Sequence, residues 1–199
     1  MLNRDYDHIF KIITLGESGI GKTSLIKRFA HDIFEENHVP TIGVDFLIKV
    51  LDIENKIIKI QLWDICGSER FKTVIPSYYR NADGAIAAYD ISDKRSFDQV
   101  KFWVNEVKKH PEIKTNTVIL GTKCDILDRE VKVTEEEGKK LADELGVKYF
   151  ETSAKTGYNV NEAYNFLIKE IIDNFKNFER EKIELKKDDK MDKKKRCSK

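Results

Sequence analysis

The sequence has few cysteines, no long apolar run and almost no net charge. Its three cysteines, Cys66, Cys124 and Cys197, are spaced neither as a disulfide framework nor as metal ligands, so we expect a reducing, cytosolic setting. The first residues lack the apolar centre of a signal peptide, and no stretch approaches the roughly 18 apolar residues of a membrane-spanning helix. The formal net charge of +1 argues against a general nucleic-acid-binding protein.

Extended and helical patterns alternate along the chain. Two extended runs, Val44 to Ile53 and Lys56 to Ile65, flank Glu54-Asn55 and predict a hairpin. Apolar runs predict buried strands at 9–15, 84–91, 117–121 and 147–150, and helical spacing predicts helices at 24–30, 96–110, 134–145 and 161–178. This order predicts an α/β fold: a mostly parallel sheet with helices on both faces and one antiparallel edge strand.

The apolar stripe of the last predicted helix stops at Phe178. We therefore predict a short N-terminal extension at 1–8, one domain at 9–178 and a charged, flexible tail at 179–199. No repeat or linker indicates a second domain. Residues 186–199 contain eight Lys or Arg against three Asp, so this end carries +5 and the rest of the chain −4.

A phosphate-binding motif follows the first strand. Residues Gly16 to Thr23 read GESGIGKT, which matches G-x-x-x-x-G-K-[ST] between an apolar run and a helical segment. In this context the glycines let successive backbone N–H groups face one anion, and the new helix adds its positive end. Lys22 is placed to reach the terminal phosphates, and the Thr23 hydroxyl to bind Mg²⁺. The motif predicts a nucleoside triphosphate site.

The choice of base is indicated by Thr122-Lys123-Cys124-Asp125, which follows the apolar run TVILG. Ligands of open α/β sheets bind at such carboxyl ends. A carboxylate here accepts hydrogen bonds from N1–H and the exocyclic amine of guanine, whereas adenine offers no such pair. Asp125 alone could equally cap a turn. Together with the phosphate loop and Thr152-Ser153-Ala154-Lys155 downstream, it predicts guanine.

Five motifs in this order, GESGIGKT, TIGVDF, WDICGSERF, TKCD and ETSAK, resemble those of the Ras superfamily of small GTPases. Ile42 to Phe46, Ser77 to Arg80 and Tyr89 to Ser92 resemble the Rab branch. The resemblance covers about residues 8–176. It implies a P-loop NTPase fold with a six-stranded sheet, bound GTP or GDP with Mg²⁺, and a switch in vesicle traffic. It also implies an exchange factor, a GTPase-activating protein and effectors as partners, with the chain itself a monomer.

The resemblance also implies roles for individual residues. Phe34 would stack on the base, Ala154 would donate its N–H to the guanine carbonyl, and Gly67 would donate its N–H to the γ-phosphate. The implied nucleotide-binding set is Ser18, Gly19, Ile20, Gly21, Lys22, Thr23, Ser24, Phe34, Thr41, Gly67, Thr122, Lys123, Asp125, Ser153, Ala154 and Lys155. The implied metal set is Thr23, Thr41 and Asp64, and the implied catalytic set is Lys22, Thr41, Gly67 and Ser68. The implied effector surface is Ile42, Gly43, Val44, Asp45, Phe46, Trp63 and Tyr79.

Three positions depart from the family pattern. Ser68 replaces the glutamine that orients the attacking water, and Thr122 replaces an asparagine, as in Rho-type relatives. The chain ends Arg196-Cys197-Ser198-Lys199, unlike the usual Rab ends. Ser68 is too short to reach the water, so we expect slow intrinsic hydrolysis unless a partner supplies the missing group. A GTP-dependent effector-binding module that does not hydrolyse remains an alternative. A P-loop kinase is disfavoured by Asp125 and by the lack of lid-like arginine segments.

Membrane attachment is predicted through the basic end of the chain. Lys193 to Arg196 precede Cys197, and one lipid on that cysteine with a polybasic run would form a two-signal anchor. The same run could instead be only a solvated end. On the first interpretation we expect a peripheral protein on the cytosolic face of an endomembrane, with no nucleic-acid partner.

Overall fold

The computed structural model describes residues 6–36, 41, 43–67, 78, 81–109 and 116–197, with side chains described as far as Phe178 and at Arg180. Within this part the chain forms six strands and four α-helices. In order they are β1 (His8–Leu15), α1 (Lys22–His31), β2 (Val44–Ile53), β3 (Lys56–Ile65), β4 (Gly84–Asp90), α2 (Lys94–Lys108), β5 (Asn116–Thr122), α3 (Glu135–Leu145), β6 (Lys148–Thr152) and α4 (Val160–Cys197). A short 3-10 helix spans Asp128–Glu130.

The strands form one sheet in the order β2-β3-β1-β4-β5-β6. Strand β2 pairs antiparallel with β3, and the other pairs are parallel. The β2–β3 hairpin turns through Glu54 and Asn55, whose φ angles are 54° and 61°. Two successive left-handed residues are typical of the two-residue turns that match strand twist. The predicted six-stranded, mostly parallel sheet with one antiparallel edge strand is confirmed.

Both faces of the sheet are covered by helices, and alternate side chains of β1 pack into the apolar layer on each face. Phe10 and Ile12 point to one face, where they pack with α1 and α4. Ile13 and Leu15 point to the other face, where they pack with α2 and α3. Side chains on successive strand residues point to opposite faces, so the apolar residues of this one strand contribute to two cores.

The parallel arrangement brings four loops to one edge of the sheet. The carboxyl ends of β1, β3, β5 and β6 meet there, because parallel strands all run in the same direction. The segments that follow these strands begin at Gly16, Cys66, Lys123 and Ser153. Each of these segments carries part of a predicted motif. The candidate site therefore lies at the carboxyl ends of these strands.

Helix α4 is longer than predicted. The sequence indicates a helix end at Phe178, but α4 continues to Cys197, so the predicted helix end was wrong. The division into a domain at 9–178 and a charged tail at 179–199 stays a prediction. The apolar stripe shows which part of a helix is buried, and a helix can continue beyond the point where its buried face ends. Residues 179–197 contain no Gly or Pro, and consist largely of Glu, Lys and other strong helix formers. Other predicted ends agree within two residues. No helix in the described part is long and apolar enough to cross a membrane.

Candidate functional site

A cavity of about 430 Å³ lies at the carboxyl edge of the sheet. Every predicted nucleotide-binding residue except Ser153 lines it: Ser18, Gly19, Ile20, Gly21, Lys22, Thr23, Ser24, Phe34, Thr41, Gly67, Thr122, Lys123, Asp125, Ala154 and Lys155. These residues come from six separate segments of the sequence. A volume of this size falls within the usual range for ligand sites.

The loop after β1 curls around one end of the cavity. Gly16, Gly19 and Gly21 have φ angles of 139°, 79° and 96°, which L side chains rarely adopt. A Cβ on Gly16 would also lie 2.3 Å from the carbonyl oxygen of Ala88. Helix α1 begins at Lys22 with no side-chain cap. Its first N–H groups therefore remain for a ligand, and the positive end of the helix favours an anion there.

The Lys22 ammonium lies inside this loop. Its Nζ donates to the carbonyl oxygens of Gly16 at 2.9 Å and Glu17 at 2.7 Å, and the residue is only 6% exposed. Desolvation by burial lowers the pKa of Lys22, and the nearby Asp64 carboxylate opposes that shift. A buried cation held by loop carbonyls suits an anionic ligand whose charge completes its environment.

Three oxygen ligands meet beside Lys22. Thr23 Oγ1 lies 2.8 Å from Thr41 Oγ1 and donates a short hydrogen bond to Asp64 Oδ2, which also accepts from Thr41 Oγ1 at 3.1 Å. Asp64 is 3% exposed, and its other oxygen, Oδ1, has no hydrogen-bond partner among the described residues. Mg²⁺ in nucleotide sites is held by one or two carboxylates and by substrate phosphates. The hard oxygens and the unpartnered buried Oδ1 fit this ion.

Asp125 and Ser153 form the other end of the cavity. Ser153 Oγ donates to Asp125 Oδ1 at 2.6 Å and accepts from the Thr156 backbone N–H at 3.1 Å. Ser153 is fully buried, so it fixes the Asp125 carboxylate without lining the cavity. This arrangement leaves lone pairs of Asp125 for two donors on a base.

The loop after β5 is hydrogen-bonded to the phosphate loop. Thr122 Oγ1 donates to the carbonyl oxygen of Ile20 at 2.6 Å, and Lys123 Nζ donates to that of Gly19 at 3.0 Å. Lys123 Nζ also pairs with Asp90 Oδ2 at 2.6 Å. Thr122 thus makes a buried contact to the phosphate loop from the position where most family members carry asparagine.

Gly67 packs directly on the phosphate loop. A Cβ at this position would lie 2.2 Å from the Gly16 oxygen and 2.5 Å from the Ser18 nitrogen. The neighbouring Cys66 is buried, lines the cavity and donates its backbone N–H to the carbonyl oxygen of Gly43 at 3.0 Å. The segments after β1, before β2 and after β3 are therefore in contact. The predicted catalytic residue Ser68 lies outside the described residues.

Some residues at the cavity were not predicted from the sequence. Arg28 donates from Nε to the carbonyl oxygen of Ala154 at 2.7 Å and from a terminal nitrogen to that of Lys155 at 3.1 Å. Lys155 also pairs with Glu36 at 3.3 Å. Further lining residues that were not predicted are Leu25, Glu35, Glu36, Cys66 and Ile126. Most are chain neighbours of motif residues, a signal that could have found them, whereas the Arg28 contact has no local signal.

The predicted effector surface is only partly described. Phe46 is 50% exposed and stacks on Trp63 with ring centroids 5.6 Å apart, so it is not a core residue. Tyr78, which was not predicted to belong to this surface, lies beside Trp63 with ring centroids 6.1 Å apart. Gly43, Val44 and Asp45 lead into or lie on β2, while Ile42 and Tyr79 lie outside the described residues.

Comparison with known proteins gives the family. Residues 11–173 match the Ras family model. The chain is 47% identical over 167 residues to Ras-related protein Rab-13 of Mesocricetus auratus, covering 84% of this chain and 82% of that protein. It is 44% identical over 171 residues to GTP-binding protein ypt2 of Schizosaccharomyces pombe, covering 86% and 85%. It is 43% identical over 169 residues to Ras-related protein Rab-8B of Pongo abelii, covering 85% and 81%. The chain therefore belongs to the Ras family of small GTPases, in its Rab branch.

Proposed function

We propose that the 430 Å³ cavity is the site at which this Rab-like GTPase binds GTP and GDP. Family membership establishes the activity: the chain binds guanine nucleotides with Mg²⁺, hydrolyses GTP and acts as a switch in vesicle traffic. The observation that supports the site is its two chemically different ends. Lys22 and the oxygens of Thr23, Thr41 and Asp64 lie at one end, and the Asp125–Ser153 pair lies at the other.

At the phosphate end, Lys22 and the first N–H groups of α1 bind the phosphates. The hydroxyls of Thr23 and Thr41 and the Asp64 carboxylate would hold Mg²⁺, which would supply positive charge to stabilise the phosphates. Gly67 donates its N–H to the γ-phosphate, and Ser18, Gly19, Ile20, Gly21 and Ser24 complete the cradle. Because Thr41 and Gly67 belong to different segments, the γ-phosphate holds both in one arrangement and hydrolysis releases them.

At the base end, Asp125 accepts the two donors of guanine while Ser153 fixes its orientation. The Lys123 stem lies along one face of the base, Phe34 stacks on it, and the Ala154 N–H meets the carbonyl oxygen. Arg28 supports this end through the carbonyl oxygens of Ala154 and Lys155, 2.7 and 3.1 Å away. Thr122 and Lys155 position the two loops that surround the base.

The GTPase acts with partners. Exchange factors, GTPase-activating proteins and GTP-state effectors regulate or bind Rab proteins, and the same classes apply to this chain. We propose that effectors contact the exposed surface formed by Gly43 to Phe46 and Trp63, with Ile42 and Tyr79 at its edge. The chain acts as a monomer on the cytosolic face of an endomembrane.

Intrinsic hydrolysis is expected to be slow and to increase when Ser68 is replaced by glutamine. The phosphate and metal residues are present, but the side chain that aligns the attacking water is too short. Loss of alignment costs roughly 1–3 kcal/mol, so Ser68→Gln should raise the single-turnover rate about 10- to 100-fold. The assay uses protein preloaded with GTP, with and without a GTPase-activating protein.

Asn161→Gln, at an exposed position of α4, is the control because it introduces the same side chain outside the cavity lining. It should leave the rate unchanged. Wild-type hydrolysis as fast as that of Ser68→Gln would mean that another group positions the water. No GTP hydrolysis by either protein, even with an activating protein, would favour the non-hydrolysing module, which family membership disfavours.

We propose that Cys197 carries a lipid and that the basic run before it strengthens membrane binding. Each basic residue near an anionic leaflet contributes about 1 kcal/mol, and a single lipid chain alone binds weakly. Mass spectrometry of protein from its native cells should show a modified Cys197, and Cys197→Ser should shift a tagged protein from membranes to the soluble fraction. Cys124→Ser is the control. An unmodified terminus on membrane-bound protein that high salt releases would instead indicate purely electrostatic attachment.

A further inference from the structure

A second cavity, of about 300 Å³, lies at the opposite end of the sheet from the nucleotide cavity. The amino end of β1 contributes His8 and Phe10. The β2–β3 hairpin contributes Ile53, Glu54, Lys56 and Ile58. Helix α4 closes it between Ile172 and Arg180. Strand β1 runs from this cavity at His8 to the phosphate loop after Leu15, about 25 Å at 3.3 Å per residue. The two cavities share no residue.

The floor of the second cavity is apolar. Phe10, Ile58 and Ile172 are buried there. The Phe175 ring stands edge-on to Phe10 at 5.6 Å and to His8 at 4.8 Å between centroids. A volume of 300 Å³ is at the low end for ligand sites, so it suits one narrow apolar chain rather than a bulky ring system.

The rim of the cavity carries an excess of cations. Glu54 is the single acidic residue of the rim within the described part of the chain, and it is paired with Lys176 at 2.6 Å. Lys56 and Arg180 also lie on the rim, and neither forms an ion pair with a described side chain. These two cations, which form no ion pair with a described side chain, and the apolar floor are complementary to a ligand with an anionic head and an apolar body.

We propose that this cavity binds an anionic amphiphile, with its alkyl chain against Phe10, Ile172 and Phe175 and its phosphate or carboxylate between Lys56 and Arg180. An anionic lipid offers both groups. Helix α4 leaves the domain at this same end, and the sequence from 186 to 199 carries +5. A chain end that is attracted to anionic membranes would bring the cavity close to such lipids.

The test uses the full chain loaded with GDP and Mg²⁺, so that the nucleotide cavity is occupied. Decyl phosphate, kept below its micelle concentration, is titrated while the methyl signals of Ile53, Ile58 and Ile172 are followed by NMR. Decanol and inorganic phosphate serve as chain-only and head-only probes. We expect saturable shifts with decyl phosphate and at least tenfold weaker binding of either other probe.

Charge-reversal variants distinguish binding at this cavity from general electrostatic attraction of the anionic probe to the protein. Lys56→Glu combined with Arg180→Glu should weaken decyl phosphate binding at least tenfold. The control, Lys140→Glu with Lys169→Glu, changes the overall charge equally at exposed helix positions outside the cavity and should bind as the wild type does. Ile53→Trp, which fills the cavity and keeps its charges, should abolish the methyl shifts. A preserved amide spectrum shows that each variant is folded.

Vesicles identify the source of the ligand. Binding to phosphatidylserine-containing vesicles should fall severalfold in the Lys56/Arg180 variant, which keeps the whole basic end, but not in the control. Loss of decyl phosphate binding with unchanged vesicle binding would assign the site to a free amphiphile. Equal binding of decanol and decyl phosphate, inorganic phosphate shifting the same methyls, or no effect of the double charge reversal would overturn the proposal. Binding of an acidic aromatic peptide but not of decyl phosphate would do so as well.

Discussion

Asp125→Asn is expected to lower the affinity for GTP by about 10⁴-fold and to make the xanthine nucleotide the preferred ligand. Discrimination of this size is typical where a substrate donor or acceptor would be left unpaired in the site. In the wild type, Oδ1 of Asp125 accepts from Ser153 at 2.6 Å, and the remaining lone pairs accept the two guanine donors. Asparagine keeps the Ser153 hydrogen bond but presents an N–H₂ group, which donates to the second carbonyl of xanthine.

Competition of GTP, the xanthine analogue and ATP against a labelled nucleotide measures this change. The wild type should bind GTP and GDP far more tightly than ATP. Asp128→Asn, three residues further along and outside the cavity lining, makes the same chemical change and should leave all affinities unaltered. Comparable affinities of the wild type for ATP and GTP would contradict the assignment of Asp125 to guanine.

Gly67→Ala is expected to reduce the preference for GTP over GDP by about 10- to 100-fold. The added Cβ would lie 2.2 Å from the Gly16 oxygen and 2.4 Å from the Glu17 carbonyl carbon, so the backbone at 67 must move away from the phosphate loop. That movement removes the N–H that we assign to the γ-phosphate, and a hydrogen bond to a charged group contributes roughly 1.5–3 kcal/mol. GDP lacks this phosphate, so its affinity should change much less.

Association and dissociation rates of labelled GTP and GDP together give the ratio of the two affinities. Gly146→Ala is the control, because it makes the same substitution where nothing lies within 4 Å of the added Cβ, although Gly146, unlike Gly67, has a positive φ of 64°. It should cost about 1 kcal/mol of stability and leave the GTP to GDP ratio unchanged. If Gly67→Ala lowered the affinities for GTP and GDP equally, the phosphate loop would be distorted as a whole. That result would contradict the assignment of the Gly67 N–H to the γ-phosphate.

The sequence was sufficient to predict those parts of the site in which a chemical motif directly follows a buried strand. The phosphate loop, Lys22 and Asp125 each follow an apolar strand, and parallel strands bring their carboxyl ends to one edge. A local motif therefore predicts a three-dimensional location. The same reasoning explains why the order of the elements predicts the sheet, with β2 as its antiparallel strand.

Contacts between distant segments could not be read in this way. Arg28 reaches the Ala154 carbonyl across 126 residues of sequence, and no spacing rule connects the two positions. Tyr78 lies beside Trp63, a contact that no spacing rule predicts, whereas the predicted Tyr79 lies outside the described residues. The length of α4 was missed because hydrophobic periodicity reports the buried face alone, whereas helix formation also follows intrinsic propensity.

The hydrogen bonds from Thr122 to Ile20 and from Lys123 to Gly19 have a thermodynamic consequence. They join the segment that recognises the base to the segment that surrounds the phosphates, so the two ends of the ligand are not bound independently. A coupling free energy between the ends follows, and by linkage it is the same in both directions. An exchange factor that displaces the phosphate loop would therefore also weaken recognition of guanine, without touching the base or Asp125.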